Sequence, residues 1–271
     1  MSVPASRQEL VVVRGGGEMA SAAARLCFLS GLRVVVAELP LPLAVRRLVC
    51  FAEAVRAGEC AVDGVRARRV DLAALAAGAD RPGHVEVVVD PDGTALARLR
   101  PAALVDGRMA KANLGTARDQ APRVIGLGPG FTAGRDVHAV VETQRGPDLG
   151  RVLWAGAAAT NTSLPSPVLG VTEGRVLRAP RDGAFMATRR IGDLVSADDV
   201  VGAVAGTPVR AAVAGLLRGL IGDGVVVRQN TKVGDVDPRG RAVDPSVVSD
   251  KARAVAAGVL EALVWNGEIL I

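Results

Sequence analysis

The 271-residue chain reads as an α/β protein, with an N-terminal parallel sheet and its helices, then a β-rich portion, then a C-terminal helix. Two observations carry the first half of that reading. Valine-rich strands alternate with alanine-rich helical stretches up to about residue 110, and strand, tight glycine turn, helix and second strand follow one another in the order a βαβ unit needs. From Asn113 onward the pattern changes to short strands between glycine-rich loops, and the last thirty or so residues carry one amphipathic helical stretch. At this length two domains are expected, because single cores stop growing near ~250 residues.

The first strand and turn read L-V-V-V-R-G-G-G-E-M-A from Leu10 to Ala20. Three β-branched valines favour a buried strand, and the glycines end it. Gly15 and Gly17 occupy the first two positions of G-x-G-x-x-G/A, Gly16 lies between them, Ala20 fills the third, and Ser21 to Leu29 is helical. This is a Rossmann-type start, in which glycine lets the backbone turn tightly and approach a pyrophosphate whose charge is met by free N–H groups at the helix N-terminus. Arg33 to Ala37 forms a second strand, and Glu38 at its end stands about 20 residues beyond the turn, where a ribose-binding carboxylate belongs. The alternative is a glycine-rich βα turn that binds nothing.

Pro40 and Pro42 permit a helix start, and Leu43 to Glu53 follows as a helix whose polar stripe holds Arg46 and Arg47. Just past the ribose position, these arginines are placed to meet a phosphate bidentately, although solvated helix arginines fit the spacing equally well. His84 to Val89 is a third strand ending in Asp90-Pro91-Asp92-Gly93, and Ala102 to Val105 a fourth ending in Asp106-Gly107. Glu38, Asp90 and Asp106 thus fall on the rim at the strand C-termini, where open α/β sheets bind ligands; turn-forming aspartates are the alternative for Asp90 and Asp106. Lys111 follows in the stretch A-K-A-N-L-G-T.

Beyond Asn113 come strands at Arg123 to Leu127 and Asp136 to Glu142, joined by a loop from Gly128 to Gly134 that brings backbone close to a ligand or another strand. His138 lies between Val137 and Ala139, which points to a packed structural histidine. Residues 171–238 contain a repeat: Ile191-Gly192-Asp193-Leu194-Val195 recurs as Ile221-Gly222-Asp223-Gly224-Val225, and Ala179 to Gly183 is echoed by Ala211 to Gly215. Two such halves imply interlocking hairpin sets closing one β-sandwich. This segment resembles the biotinyl/lipoyl hammerhead domain, yet the junction between its halves reads V-A-G-T-P-V-R, with Ala205, Gly206 and Thr207 and no lysine to acylate. No lipoyl or biotin group is expected. Asp244 or Ser246 caps a closing helix with an apolar face of Val247, Val248, Ala252, Val255, Leu260 and Leu263, and Asp250, Lys251 and Arg253 read as surface charges. The expected divisions are residues 1–112, a glycine-rich β segment at 113–170, the β domain at 171–240 and the helix at 241–271.

Composition narrows the function classes. The net charge is +5, but the basic residues are scattered, only Lys111, Lys232 and Lys251 are lysine, and tyrosine is absent, so base-stacking and basic-patch binding of nucleic acid is not expected. Cys27, Cys50 and Cys60 are odd in number and lack C-x-x-C spacing, which argues against a disulfide framework. No uncharged apolar run reaches the ~20 residues needed to span a bilayer, so neither membrane nor signal segment is expected and the location expected is cytoplasmic.

The stretches V-R-G-G-G-E-M-A-S, A-E-L-P-L-P-L-A-V-R-R-L-V-C-F-A-E-A-V, A-K-A-N-L-G-T, G-L-G-P-G-F-T-A-G-R-D-V-H-A-V-V-E-T, D-L-G-R-V and K-V-G-D-V-D-P-R together resemble the YqeB-type proteins, accessory proteins of selenium-dependent molybdenum hydroxylases. That group is distantly similar to the XdhC-type molybdenum cofactor chaperones. Glu18 replaces the Asp usual after the glycines, and Pro147 stands where R-G-H-D is common. The resemblance implies a maturation factor for a partner molybdenum hydroxylase, and the sequence pattern itself offers Gly15, Gly16, Gly17, Glu38, Arg46, Arg47, Asp106 and Lys111 to hold a molybdopterin dinucleotide or a related nucleotide. A homo-oligomer is compatible with it. The alternative is an NAD(P)-dependent oxidoreductase, for which Lys111 is the best-placed proton donor, and a purely structural scaffold is a third reading.

Overall fold

A computed structural model describes residues 9–78, 83–161 and 167–264. They fall into two compact units: one formed by the residues up to Pro40, from Phe51 to Asn161 and from Val248 onward, the other by Leu41–Cys50 and the stretch ending at Val247.

The first unit is built on strands β1 (Leu10–Arg14), β2 (Arg33–Glu38), β3 (Glu59–Val62), β4 (Val65–Arg69), β5 (Val85–Val89), β6 (Ala103–Asp106), β7 (Arg123–Leu127), β8 (Thr132–Ala133), β9 (Ala139–Val141), β10 (Val152–Leu153) and β11 (Gly156–Ala157). All but β8 and β11 form one sheet in the order β10-β9-β7-β6-β1-β2-β5-β4-β3. From β9 to β4 neighbours run parallel, while β10 and β3 close the edges antiparallel. β1 sits centrally because the chain leaves it for β2 on one side and later returns to β6 on the other, which makes the C-terminal ends of β1 and β6 the topological switch point.

Strand alternation sends the two faces to different helices. Val12, Val35, Val88, Leu104, Val124 and Val140 pack with Leu75 of α3 (Leu72–Ala76) and Leu96 of α4 (Ala95–Leu99). The opposite face takes α1 (Glu18–Leu29) and α5 (Asp250–Val264), which pack on one another; Ala20, Ala23, Ala24 and Cys27 of α1 and Ala252, Val255 and Val259 of α5 are buried. On its sheet side α5 also comes close: a Cβ on Gly258 would lie 2.8 Å from Cγ1 of Val141 in β9.

Several expectations are corrected. The segment expected at 113–170 does not stand apart: up to Asn161 it belongs to this unit, where β7 pairs directly with β6 and β9 with β7 in the same sheet, and residues 167–170 belong to the second unit. The helix expected over Leu43 to Glu53 is replaced by a 3-10 turn at Arg47–Val49 and a short α2 at Glu53–Ala57. Proline disfavours the helical region for the residue before it, and Leu39 and Leu41 each precede one. The strand expected from Asp136 to Glu142 is only Ala139–Val141. The helix α5 starts later than expected: Ser249 Oγ accepts the Ala252 amide at 3.2 Å, whereas Asp244 turns onto Ser246.

The second unit holds β12 (Val176–Arg178), β13 (Gly183–Ala187), β14 (Leu194–Val195), β15 (Val200–Val204), β16 (Thr207–Arg210), β17 (Gly215–Leu220), β18 (Val226–Val227) and β19 (Lys232–Asp237). They form two four-stranded antiparallel sheets, β12-β19-β17-β14 and β16-β15-β13-β18. Advancing each strand of the first sheet by four positions, cyclically, gives the second sheet in order. The sequence repeat follows the same step, since Ile191 and Ile221 precede β14 and β18, and Ala179 and Ala211 precede β13 and β17. Phe185, Leu217, Leu220, Val233 and Val236 are among the residues of the shared core. The segment Leu41–Cys50 joins this unit by docking on β17, where the Leu220 amide donates to Val45 O at 2.9 Å.

Among the described residues, no helix is long and apolar enough to cross a membrane.

Candidate functional site: the rim at the end of β1

Three consecutive glycines leave β1, and the fold requires the first two for different physical reasons. Gly15 has φ +86, a conformation that favours glycine, and a Cβ there would lie 3.1 Å from Arg108 Cα. At Gly16 an added Cβ would sit 2.7 Å from the Ala52 amide nitrogen, so packing demands glycine. Gly17 is different. Its backbone is extended (φ −68, ψ 174), which any residue adopts, and a Cβ would meet nothing within 4 Å. Neither backbone nor packing requires glycine at the N-cap of α1, so what its missing side chain leaves is open space over the helix N-terminus. Ala20 completes the pattern by packing under the end of β6, where a Cβ on Gly107 would lie 2.7 Å from Ala20 Cβ.

Glu38 stands at the end of β2 as expected, but its carboxylate is bound within the chain. Oε1 accepts the Gly16 amide at 2.8 Å and Oε2 the Leu39 amide at 2.6 Å. Burial pushes its carboxyl up, against the two amides that favour the charged form. In this position Glu38 braces the glycine turn from behind. Ser21 assists: its hydroxyl donates to Gly16 O and accepts the Phe51 amide, both at 2.8 Å.

Asp106 likewise has a structural task. Its carboxylate pairs with Arg108, at 2.6 Å between Oδ2 and Nη2, and Oδ2 also accepts the Thr116 hydroxyl at 2.6 Å. With 1% of it exposed, Asp106 meets these groups and not solvent. Asp90 accepts the amides of Thr94 and Ala95 and starts α4, as a turn-forming aspartate does. Lys111 is exposed in the loop after β6, in the left-handed conformation at φ 62.

Arg46 and Arg47 are not on a helix following Glu38. Both belong to the second unit, where Arg47 Nε donates to Leu220 O at 2.9 Å and Arg46 Nη2 approaches Val247 O at 3.4 Å. The stripe that was to present them to a phosphate does not form.

Sequence reasoning missed two groups near the switch point. Arg14, the last residue of β1, and Arg108, just beyond β6, both donate to Thr116 Oγ1 at 3.1 Å. Burial and then the neighbouring Arg108 lower the Arg14 guanidinium's pKa from its ordinary value. The sequence signal was available, since a strand-terminal arginine on the same face as Val12 points to the α4 side. Lys251 was also underestimated: it is half-buried, and burial, then Arg145, lower its ammonium pKa while Glu18, Glu142 and Asp250 act oppositely. His138 is a packed histidine, its Nδ1 accepting the Val124 amide at 3.0 Å. Among the described residues no group of three or more His, Cys, Asp and Glu side chains is arranged to hold a metal ion.

No family model matches the chain. Over 259 residues, 96% of its length, it is 45% identical to the uncharacterized protein YqeB of Escherichia coli. The chain spans about half of that relative, 48% of its length. Among solved structures, an aspartoacylase family protein from Mesorhizobium loti aligns over 85% of both chains at 13% identity and a TM-score of 0.27. A succinylglutamate desuccinylase/aspartoacylase from Rhodobacter sphaeroides gives 16% identity, 85% of both chains and 0.26. At that level neither fold nor activity carries across.

Proposed function

We propose that the chain is a YqeB-type accessory factor for a molybdenum hydroxylase and that it holds a molybdopterin dinucleotide, or a related nucleotide, on the rim formed by Gly15, Gly16 and Gly17. The observation that supports it best is Gly17, whose missing side chain leaves space over the α1 N-terminus with no backbone or packing reason for glycine. The residues fit a pyrophosphate: amide groups of the first turn of α1 would donate to it, and Glu38 holds the turn in shape. The resemblance to the YqeB group supplies the molybdenum system, and the dinucleotide supplies a pyrophosphate that a glycine turn recognises by shape.

In this reading the second unit is a hammerhead-like domain used for its shape. Its strand orders and fourfold strand step agree with two interlocked halves. The hairpin between β15 and β16 turns at Ala205 and Gly206, without an acylation site.

The test is native mass spectrometry of the purified protein, followed by calorimetric titration of CTP, NAD, NADP and molybdopterin dinucleotide into wild type and Gly17→Val. Retained or titrated molybdopterin dinucleotide that Gly17→Val loses supports the proposal. Tight binding of NAD or NADP alone moves the protein to the oxidoreductase reading, and equal binding by folded Gly17→Val removes the site from this rim.

A further inference from the structure

The face of the sheet opposite α1 carries a second cationic feature that the glycine rim does not use. A cleft of about 790 Å³ runs between α4 and the segment 119–122, within the range of volumes that small-molecule sites occupy. Arg14 lines it, with Arg100 from the end of α4, Gln120 and Asp119, and its remaining wall is largely apolar, with Leu96 and Pro101 among the residues there.

Arg14 makes the cleft more than a gap. Its Nη1 donates to Thr116 Oγ1 at 3.1 Å and to Gln120 Oε1 at 3.2 Å, two neutral acceptors. Among the described residues it forms no ion pair. The carboxylate that would supply one, Asp106, is engaged by Arg108 and Thr116, and Asp90 is engaged by the start of α4. Asp106 and Asp90 act on Arg14 from a distance, but a half-buried guanidinium that makes no ion pair, beside a second guanidinium, is an arrangement that an added anion stabilises. Arg100 adds a second positive charge to the wall against the single negative charge of Asp119.

We propose that this cleft is a binding site for a small organic oxyanion, a phosphate monoester or a carboxylate borne on an apolar body, with Arg14 as its principal anchor. The free edge of the guanidinium meets two oxygens of the anion, and the apolar wall beside Leu96 and Pro101 takes the body. Gln120 holds Arg14 in place from the side.

Phenyl phosphate, benzoate and inorganic phosphate are titrated into the full chain by calorimetry, with thermal melts in parallel. Saturable binding of phenyl phosphate, of benzoate or of both is expected, and which of the two binds more tightly identifies the source of the oxyanion. Inorganic phosphate should bind more weakly than phenyl phosphate, because it leaves the apolar wall bare. Arg14→Gln is expected to weaken binding at least about tenfold. Since Arg14 also holds Thr116 and Gln120, Ala97→Phe provides a second variant: Ala97 is an exposed position lining the cleft, so the ring fills the cleft without touching the core. It should abolish binding in a folded protein. Gly17→Val should bind these probes as wild type does, which separates this site from the glycine rim. Absence of saturable binding by both organic probes, or wild-type binding by Ala97→Phe, overturns the proposal.

Discussion

Gly15, Gly16 and Gly17 are one letter three times, yet backbone conformation holds the first, packing the second and neither the third, and the difference separates in experiment. At Gly16 an alanine places Cβ 2.7 Å from the Ala52 nitrogen and 3.1 Å from Glu38 Cγ. Overpacking of that kind costs about 1–3 kcal/mol, so Gly16→Ala is expected to lower Tm by several degrees. Gly17→Val adds its side chain to open space, and the fold should lose no more than about 1 kcal/mol from the poorer N-cap residue. Dinucleotide affinity should instead fall on the order of 100-fold or more, because the branched side chain excludes the pyrophosphate, whereas a helix terminus alone contributes only ~0.3–1 kcal/mol. A Gly17→Val protein that melts well below wild type would contradict the geometry at this position. Glu38→Ala makes the opposite kind of case. It strands the buried Gly16 amide, so a stability loss of about 1–3 kcal/mol in urea melts is expected, along with any loss of ligand.

Elements were legible in the sequence where a local pattern determined them. The strand over Arg123–Leu127 and the start of β1 follow directly from β-branched runs bounded by glycine. The β3–β4 hairpin was passed over, although Asp63-Gly64 carries its signal: both residues have positive φ, at 48 and 85, as a two-residue turn of the primed type requires. The helix expected through Arg46 and Arg47 failed because apolar spacing resembled a helix while Pro40 and Pro42 held the chain extended, and because Val45 is engaged by Leu220, a partner no local reading reveals. Asp106 ends β6, but its partners Arg108 and Thr116, two and ten residues on, sit in a loop whose path no periodic pattern sets. His138, by contrast, was legible as a packed residue and carries a pH prediction. Burial, then Arg118 and Arg123, lower its pKa, and Nδ1 accepts the Val124 amide only when unprotonated. A histidine whose folded pKa lies below its unfolded value leaves stability intact above about pH 6.5 and removes it as pH falls through that value toward the folded pKa. Urea melts of wild type and His138→Asn should therefore diverge on acidification from neutral pH to about pH 5, with wild type losing more. Parallel pH dependence of the two proteins would show that the ring titrates as it does in the unfolded chain.

At the scale of the whole molecule, the sequence order of the parts hides their grouping. The chain leaves the first unit at Leu41, returns at Phe51, and comes back to it once more at Val248. The last element among the described residues, α5, is therefore part of the parallel-sheet unit and packs on α1, the helix that opens at the glycine rim. The N-termini of the two helices meet, since the Ser249 amide donates to Glu18 Oε1 at 3.1 Å, and the face of α5 that closes the unit buries Val255, Val259 and Leu263 completely. Burying three such side chains is worth about 1.5–3 kcal/mol each. Their sum is comparable with the ~5–15 kcal/mol by which a typical protein is stable. Buried alanines at Ala252, Ala256 and Ala262 add to it, and removing the helix would also bare the apolar face of α1. A chain ending at Val247 is accordingly expected to lose the cooperative unfolding transition of the parallel-sheet unit and to gain binding of a hydrophobic dye. The single change Leu263→Ala should cost about 2–5 kcal/mol and leave the rim intact. Circular dichroism melts of the truncated chain, Leu263→Ala and wild type make the comparison. A truncated chain that retains the wild-type transition would mean that α5 covers the sheet without closing its core.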